Sequence, residues 1–332
     1  MRKLIALALL FVLPLGIVFA GGASDTDDGS IKIGVSKLMA HAALDAVEEG
    51  MVEYLDSTGL SVSYDFQNAQ GDISTSASIA QKFKDDGDDI VVGIATPTAQ
   101  ALVNVFQDRP VLFAAVTDPV DAGLVSTYEP SSDTNVAGVS DMNPVESQIK
   151  MLMDITGAKV IGNIYASGEA NGVTLMNQAK AAVEKLGGEF VSASVANTAE
   201  VMMATQSIID RVDAVYIATD NTVISALSAV ADVADDAGKP LFAADPSGVF
   251  GLEFLIAWGF DYHSIGIELG KAIEKIINGT PSGEIGTVFL TDPADFELWF
   301  NLDNAKKLGI TIPEEMLESA AVVVENGEMV RK

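Results

Sequence analysis

Five apolar runs in this chain each stop at a small cluster of hydroxyls, carboxylates or amides and then turn helical: IVVGIATPTAQ, VLFAAVTDPV, VIGNIYASGEAN, AVYIATDNTV and LFAADPSGV. Strand-like runs that alternate with helical segments predict an α/β fold with doubly wound parallel sheets. In open sheets of this kind, ligands bind in the crevice beyond the carboxyl ends of the strands, where backbone N–H groups at helix starts point outward. The polar clusters therefore mark a row of turns suited to a polar ligand.

The row is doubled. Ile33-Gly34 answers to Ile161-Gly162, Ala95-Thr96 to Ala218-Thr219, and the run RPVLFAA from Arg109 to KPLFAAD from Lys239. Matching pieces lie between these marks, LSVSYDFQNAQGD with FVSASVANTAE and ATPTAQAL with ATDNTVISAL. A repeat this long is no solenoid period. It predicts two similar lobes with the ligand cleft between them.

The chain opens with MRKLIALALLFVLPLGIVFAGG, two basic residues before a short apolar run and then small residues. This is the pattern of a secretory signal peptide cut after Ala20. A retained membrane anchor is the rival, but Leu4 to Ala20 is short for a span and is interrupted by Pro14. Residues 21–30 are small and acidic and predict a disordered leader. No cysteine occurs, which excludes both a lipid-modified cysteine at the cleavage point and a disulfide framework. The formal net charge is −28, and the loss of Arg2 and Lys3 on cleavage adds to it. Such a surface repels nucleic acid and anionic membranes. Adaptation to a saline setting and a plain solvated surface explain it equally well.

HAALDAVEEGMVEYLDSTG predicts an amphipathic helix closed by Gly59, STSASIAQKFKDDG a second and VESQIKMLMDITG another, with KVIGNIYAS a strand. FELWFNLDNAKKLGITIPEEMLESA predicts a strand, a helix and a turn at Pro313. Late elements are expected to be exchanged between lobes. The first lobe then takes residues 31–141 and about 262–290, with the helix near Ile265 to Asn278 returning to it, and the second takes 142–261 and about 291–332.

In order and spacing, QNAQGD, IATPTAQ, FAAVTDPV, GVSDM, YASGEAN, ATDNTV, GFDYHSIG and NLDNAKKLGITIPEE resemble ABC-transporter substrate-binding proteins of the tryptophan/tyrosine-uptake type, over about residues 31–320. The strings are specific as a set and weak one by one. The resemblance implies a type I periplasmic-binding-protein fold, a Venus-flytrap clamp with three hinge crossings. It also implies no catalysis, no cofactor, an ABC permease as partner, and an amino acid ligand, more loosely an aromatic one. A monomer outside the cytoplasm is expected.

Thr96, Pro97 and Thr98 precede a helical run, where a hydroxyl is first of all a cap. Ligand contact is favoured by Thr219, Asp220 and Asn221 at the repeat-equivalent turn, since two facing helix starts suit a carboxylate. Thr117, Asp118 and Asp245 stand at other strand ends, where Asp-Pro also serves turns. A desolvated ammonium needs a close carboxylate, and Asp220, then Asp118, are the expected partners. Ser167, Glu169 and Asn171 crown the strand of YASGEAN opposite Ser36, with a flexible loop as the plainer reading. Gln67, Asn68 and Gln70 read as supporting or hinge-side groups. Phe113, Tyr165, Phe242 and Trp258 lie in apolar runs and read as core, as do Tyr54 and Phe83. His41, near Met39 at a helix start, borders the cleft or is simply solvated.

His41 and His263 form no metal pattern, and no phosphate loop, dinucleotide fingerprint or nucleophile elbow is present. Two alternatives to a transport receptor are compatible with the sequence. One is a sensory binding protein serving a membrane receptor. The other is a carboxylate-based hydrolase with Asp118 and Asp220 facing across the cleft, which would need aromatic sugar platforms that the chain does not display.

Overall fold

The computed structural model describes residues 29–332. The signal-peptide reading of residues 1–20, and nearly all of the leader reading, lie outside the described residues. No helix among the described residues is long and apolar enough to cross a membrane.

One sheet contains β1 (Ile31–Lys37), β2 (Val62–Asn68), β3 (Ile90–Ile94), β4 (Val111–Ala114), β5 (Val136–Ser140) and β11 (Thr287–Phe289). The other contains β6 (Val160–Ala166), β7 (Glu189–Val195), β8 (Ala214–Ile217), β9 (Leu241–Ala243), β10 (Ile256–Phe260), β12 (Phe296–Asn301), β13 (Val322–Glu325) and β14 (Glu328–Arg331). The first runs β11-β5-β4-β3-β1-β2 and the second β14-β13-β12-β10-β9-β8-β6-β7. The stretch β4-β3-β1-β2 is thus repeated as β9-β8-β6-β7, all parallel. The doubled sequence marks fall on equivalent strands, Gly34 in β1 and Gly162 in β6, Ala95 after β3 and Ala218 after β8. The fold is α/β, as the alternation of runs predicts.

Central strands are apolar throughout because helices cover both faces. In the first lobe these are α1 (Ala42–Thr58), α2 (Ile73–Asp86) and α3 (Thr96–Val105). In the second they are α4 (Val145–Thr156), α5 (Ala170–Lys185), α6 (Val201–Ile208), α7 (Asn221–Ile224) and α8 (Leu227–Asp236). The long helix α9 (Tyr262–Ile277) follows β10 of the second sheet yet packs against α1 of the first lobe. Glycine makes that packing close. A Cβ on Gly50 would come 2.3 Å from the His263 carbonyl oxygen, and one on Gly266 would come 2.3 Å from that of Val47.

The chain crosses between sheets after β5, after β10 and after β11, and buried polar groups stitch the crossings together. Gln148 of α4 donates to Asn143 Oδ1 in the first crossing (3.1 Å) and to the Trp258 carbonyl beside the second (2.7 Å). Its own Oε1 accepts from the buried Tyr216 hydroxyl (2.7 Å). The second and third crossings are tied by the Asp261 amide donating to the Asp295 carbonyl (2.8 Å) and by contact of the Phe260 and Phe296 rings.

The closing segment carries α10 (Leu302–Leu308) and α11 (Glu314–Glu318) after β12, then a feature not expected from the sequence: β13 and β14 form an antiparallel hairpin. Its turn is Asn326-Gly327, both at positive φ (56° and 76°), the chemistry a two-residue hairpin turn demands.

Candidate ligand-binding site

The carboxyl ends of both sets of strands face one enclosed cavity. The first lobe supplies His41, Ala43, Leu44, Ala115, Asp141 and Tyr262, and the second supplies Thr219, Asn221, Ile224 and Asp245. Side chains cross the cleft at His41 Nε2 to Asn221 Oδ1 (3.3 Å) and from Thr174 of α5 to Asp121. In this closed arrangement the remaining space is small, so a ligand the size of an amino acid has to part the lobes to enter.

Two carboxylates dominate the cavity. Asp141, just beyond β5, accepts from the Tyr262 hydroxyl (2.9 Å) and from the Thr117 hydroxyl (3.2 Å). Burial, only partly offset by those two bonds, pushes its carboxyl up to about 6, and Asp245 adds a like charge. Asp245, beyond β9, uses Oδ1 for the Ser247 amide (2.9 Å) and hydroxyl (2.6 Å). Burial raises its pKa too, against the pull of the Ser247 bonds and of His41. Burial and then the Asp141 charge hold the Tyr262 phenol protonated well past its ordinary range. No lysine or arginine is among the residues lining the cavity. Lys37, a buried lysine at the end of β1, is held by Asp45 (2.6 Å) and Glu48 (3.1 Å) of α1.

Near the carboxyl ends of β1 and β3, two hydroxyls are left without partners. The hydroxyls of Ser36 and Thr96 are buried and have no protein partner. Thr96 follows Ala95, which holds φ 84° and ψ 154°, a combination normally left to glycine. Ala115 at the end of β4, itself lining the cavity, has φ 52°. Strain of this kind collects where a fold must aim backbone groups at a ligand.

The remaining sequence-predicted residues divide. Thr98 donates to the Ile94 and Ala95 carbonyls (2.8 Å each), and Pro97 borders a separate surface groove against Gln100 and Leu124. Asp118 serves its own turn, with Oδ1 accepting from Val120 N (3.0 Å), Asp121 N (3.0 Å) and the Tyr128 hydroxyl (2.8 Å). Ser167 is exposed. Asn171 donates to the Thr219 carbonyl (3.1 Å) and keeps a buried, unpartnered Oδ1. Glu169 binds the start of α7, taking the Thr222 amide (2.9 Å) and hydroxyl (2.7 Å) and Asn221 Nδ2 (2.6 Å).

Asp220 is not among the lining residues. Its Oδ2 accepts from Ala166 N (2.6 Å) and its Oδ1 from Val223 N (3.1 Å), tying β6 to the start of α7. Gly172 leaves room for it, since a Cβ there would sit 2.2 Å from Oδ2. Burial first, then the neighbouring Glu169 charge, raises its pKa. Asp141 and Tyr262 are polar cavity residues that the strand-end turns do not mark, whereas His41 lines the cavity, one of the two readings given for it from sequence. The string GVSDM contains Asp141 and GFDYHSIG contains Tyr262, but neither stands in a repeated turn.

Residues 32–324 match the family model described as ABC transporter substrate binding protein. The chain belongs to that family. A tyrosine-binding protein of Clostridioides difficile (strain R20291) is 31% identical over 325 residues, covering 92% of each chain. The structure of an ABC domain from Streptococcus pneumonia in complex with L-Trp is 33% identical, covers 89% of this chain and 100% of that one, and superposes with a TM-score of 0.84. The ligand-free, open structure of a Clostridium difficile substrate binding protein with adhesive properties is 34% identical, with 89% and 99% covered, yet scores 0.66. Identity and coverage are nearly equal, so the lower score marks a different lobe arrangement, in keeping with the contacts that cross the cleft here. This family member has the type I periplasmic-binding-protein fold and is the substrate-binding component of an ABC transporter.

Proposed function

We propose that this protein captures an amino acid, with an aromatic side chain favoured, outside the cytoplasm and presents it in closed form to its membrane permease, without chemical turnover. The observation that carries this reading is the meeting of Asp141 and Asp245, from opposite lobes, in one enclosed cavity lined by no lysine or arginine. Two buried carboxylates at one place repel and are costly unless a cation lies between them. An α-ammonium fills that role and draws the lobes together. The α-carboxylate then goes to the start of α3, a ten-residue helix, where the orphaned Thr96 hydroxyl needs an acceptor, as does that of Ser36 in β1. Thr219 and Asn221 complete the second-lobe wall, with Thr117 and Glu169 supporting Asp141 and Asn221.

Relatives named for tyrosine and solved with L-Trp support an aromatic side chain. Closure about the three crossings expels water and strengthens each polar contact. Export through a cleaved leader and a monomeric state belong to the same reading. Thermal shift of the purified chain across the amino acids tests it. One or more aromatic amino acids should stabilise the fold in proportion to the logarithm of concentration. Stabilisation by a sugar or peptide, with none by any amino acid, would contradict it.

A further inference from the structure

With a neutral imidazole, three side chains spanning the cleft have donor and acceptor capacities that leave a single arrangement. Glu169, buried at the start of α5, spends Oε1 on the Thr222 amide and hydroxyl and places Oε2 2.6 Å from Asn221 Nδ2. A carboxylate only accepts, so the NH2 of Asn221 faces Glu169 and its carbonyl faces His41. Asn221 Oδ1 lies 3.3 Å from His41 Nε2. A carbonyl also only accepts, so Nε2 carries the imidazole proton. In the neutral ring Nδ1 is then a bare acceptor. That atom is buried and has no partner in the protein.

The surroundings indicate which part of a ligand meets Nδ1. His41 is followed on α1 by Ala43 and Leu44, Asn221 is followed on α7 by Ile224, and all five line the cavity. Ala43, Leu44 and Ile224 give the wall next to His41 and Asn221 its apolar surface, and the cavity's carboxylates are Asp141 and Asp245. We propose that His41 is a specificity-determining residue whose Nδ1 accepts a hydrogen bond from a donor on the ligand's ring. Resting on the amino acid reading above, the clamp then prefers aromatic amino acids that carry a ring N–H or O–H over those that lack one. An analogue without the donor leaves Nδ1 buried and unpaired, and sites built to bond a donor reject such analogues strongly.

Calorimetric titration with two matched pairs, L-Tyr against L-Phe and L-Trp against 1-methyl-L-Trp, tests the inference. In the wild-type chain the donor-bearing member of at least one pair should bind about tenfold or more tightly. In His41→Leu the ratio should collapse toward one, and His41→Gln, which can offer a carbonyl oxygen, should restore part of it. Equal binding within both wild-type pairs, or a ratio unchanged in His41→Leu, would overturn the inference and leave the amino acid reading intact. Failure of all four compounds to bind the wild type would overturn the inference together with the aromatic preference of the reading it rests on. The chain has only two histidines, so ring-15N labelling gives a readout independent of any substituted site. A protonated Nε2 with bare Nδ1 is expected at His41, and the opposite tautomer would overturn the relay.

Discussion

Asp141 and Asp245 approach from opposite lobes and share one cavity, the Asp245 charge adding to the burial that holds the Asp141 carboxyl near 6. The pair makes the closed, unliganded clamp electrostatically uneasy, and this is what gives a cationic ligand its leverage. A ligand shifts such an equilibrium only by the difference in its affinity for the two states. Here the difference comes from a charge that the closed state lacks.

The sign of the pH dependence follows. A carboxyl raised in the closed form stabilises that form below its ordinary pKa and loses the contribution as pH rises from about 4 through about 6. An ammonium in the cavity favours the ionised carboxylate, so ligand and proton compete. Amino acid affinity should be level above about pH 7 and weaken as pH falls through 6. Titrations at pH 7.5, 6.0 and 5.0 check this, and tighter binding at pH 5.0 would contradict it.

Asp220 is bonded to two backbone amides on separate elements, so its removal should act on stability. Asp220→Ala is expected to cost about 1–3 kcal/mol through a lost cap and an unpaired buried amide. Urea unfolding together with ligand titration separates the possibilities. Unchanged stability with lost binding would make Asp220 a ligand group instead.

Gln148 joins two crossings and satisfies the Tyr216 hydroxyl. Gln148→Leu leaves that hydroxyl buried and unpaired, a loss of about 1–3 kcal/mol. The hinge should loosen with it, and small-angle scattering should show a larger radius at subsaturating ligand. An unchanged melting temperature would remove Gln148 from the hinge.

Gly266→Ala tests the seating of α9. The added Cβ meets the Val47 carbonyl carbon-to-oxygen at 2.3 Å, and backbone cannot rotate away as a side chain does. A loss of about 1–3 kcal/mol or more is expected in thermal unfolding. A variant as stable as wild type would show that α1 and α9 part more easily than their packing implies.

The architecture was legible because its strands are written twice. Runs that end in polar turns mark the strands, and their doubling predicts two similar lobes, which take the same order as β4-β3-β1-β2 and β9-β8-β6-β7. Thr219, Asn221 and Asp245 reach the cavity from such turns. Asp118 and Asp220 stand in turns of the same kind but face inward to amides, and a short acidic side chain at a strand end looks alike in both roles. Asp141 and Tyr262 were illegible for another reason. They flank hinge crossings, and only the return of α9 to the first lobe brings the Tyr262 hydroxyl to Asp141. Sequence left His41 between bordering the cleft and plain solvation, because its place depends on Asn221, 180 residues away.

The most direct test of the clamp is calorimetric titration of wild type, Asp141→Asn and Asp245→Asn with the aromatic amino acid that binds best. One ligand should bind per wild-type chain. Each variant should keep its fold and lose about 2–5 kcal/mol of binding, more than tenfold even at the lower end. Wild-type affinity in both variants would contradict the account, since no ammonium would then lie between the two carboxylates.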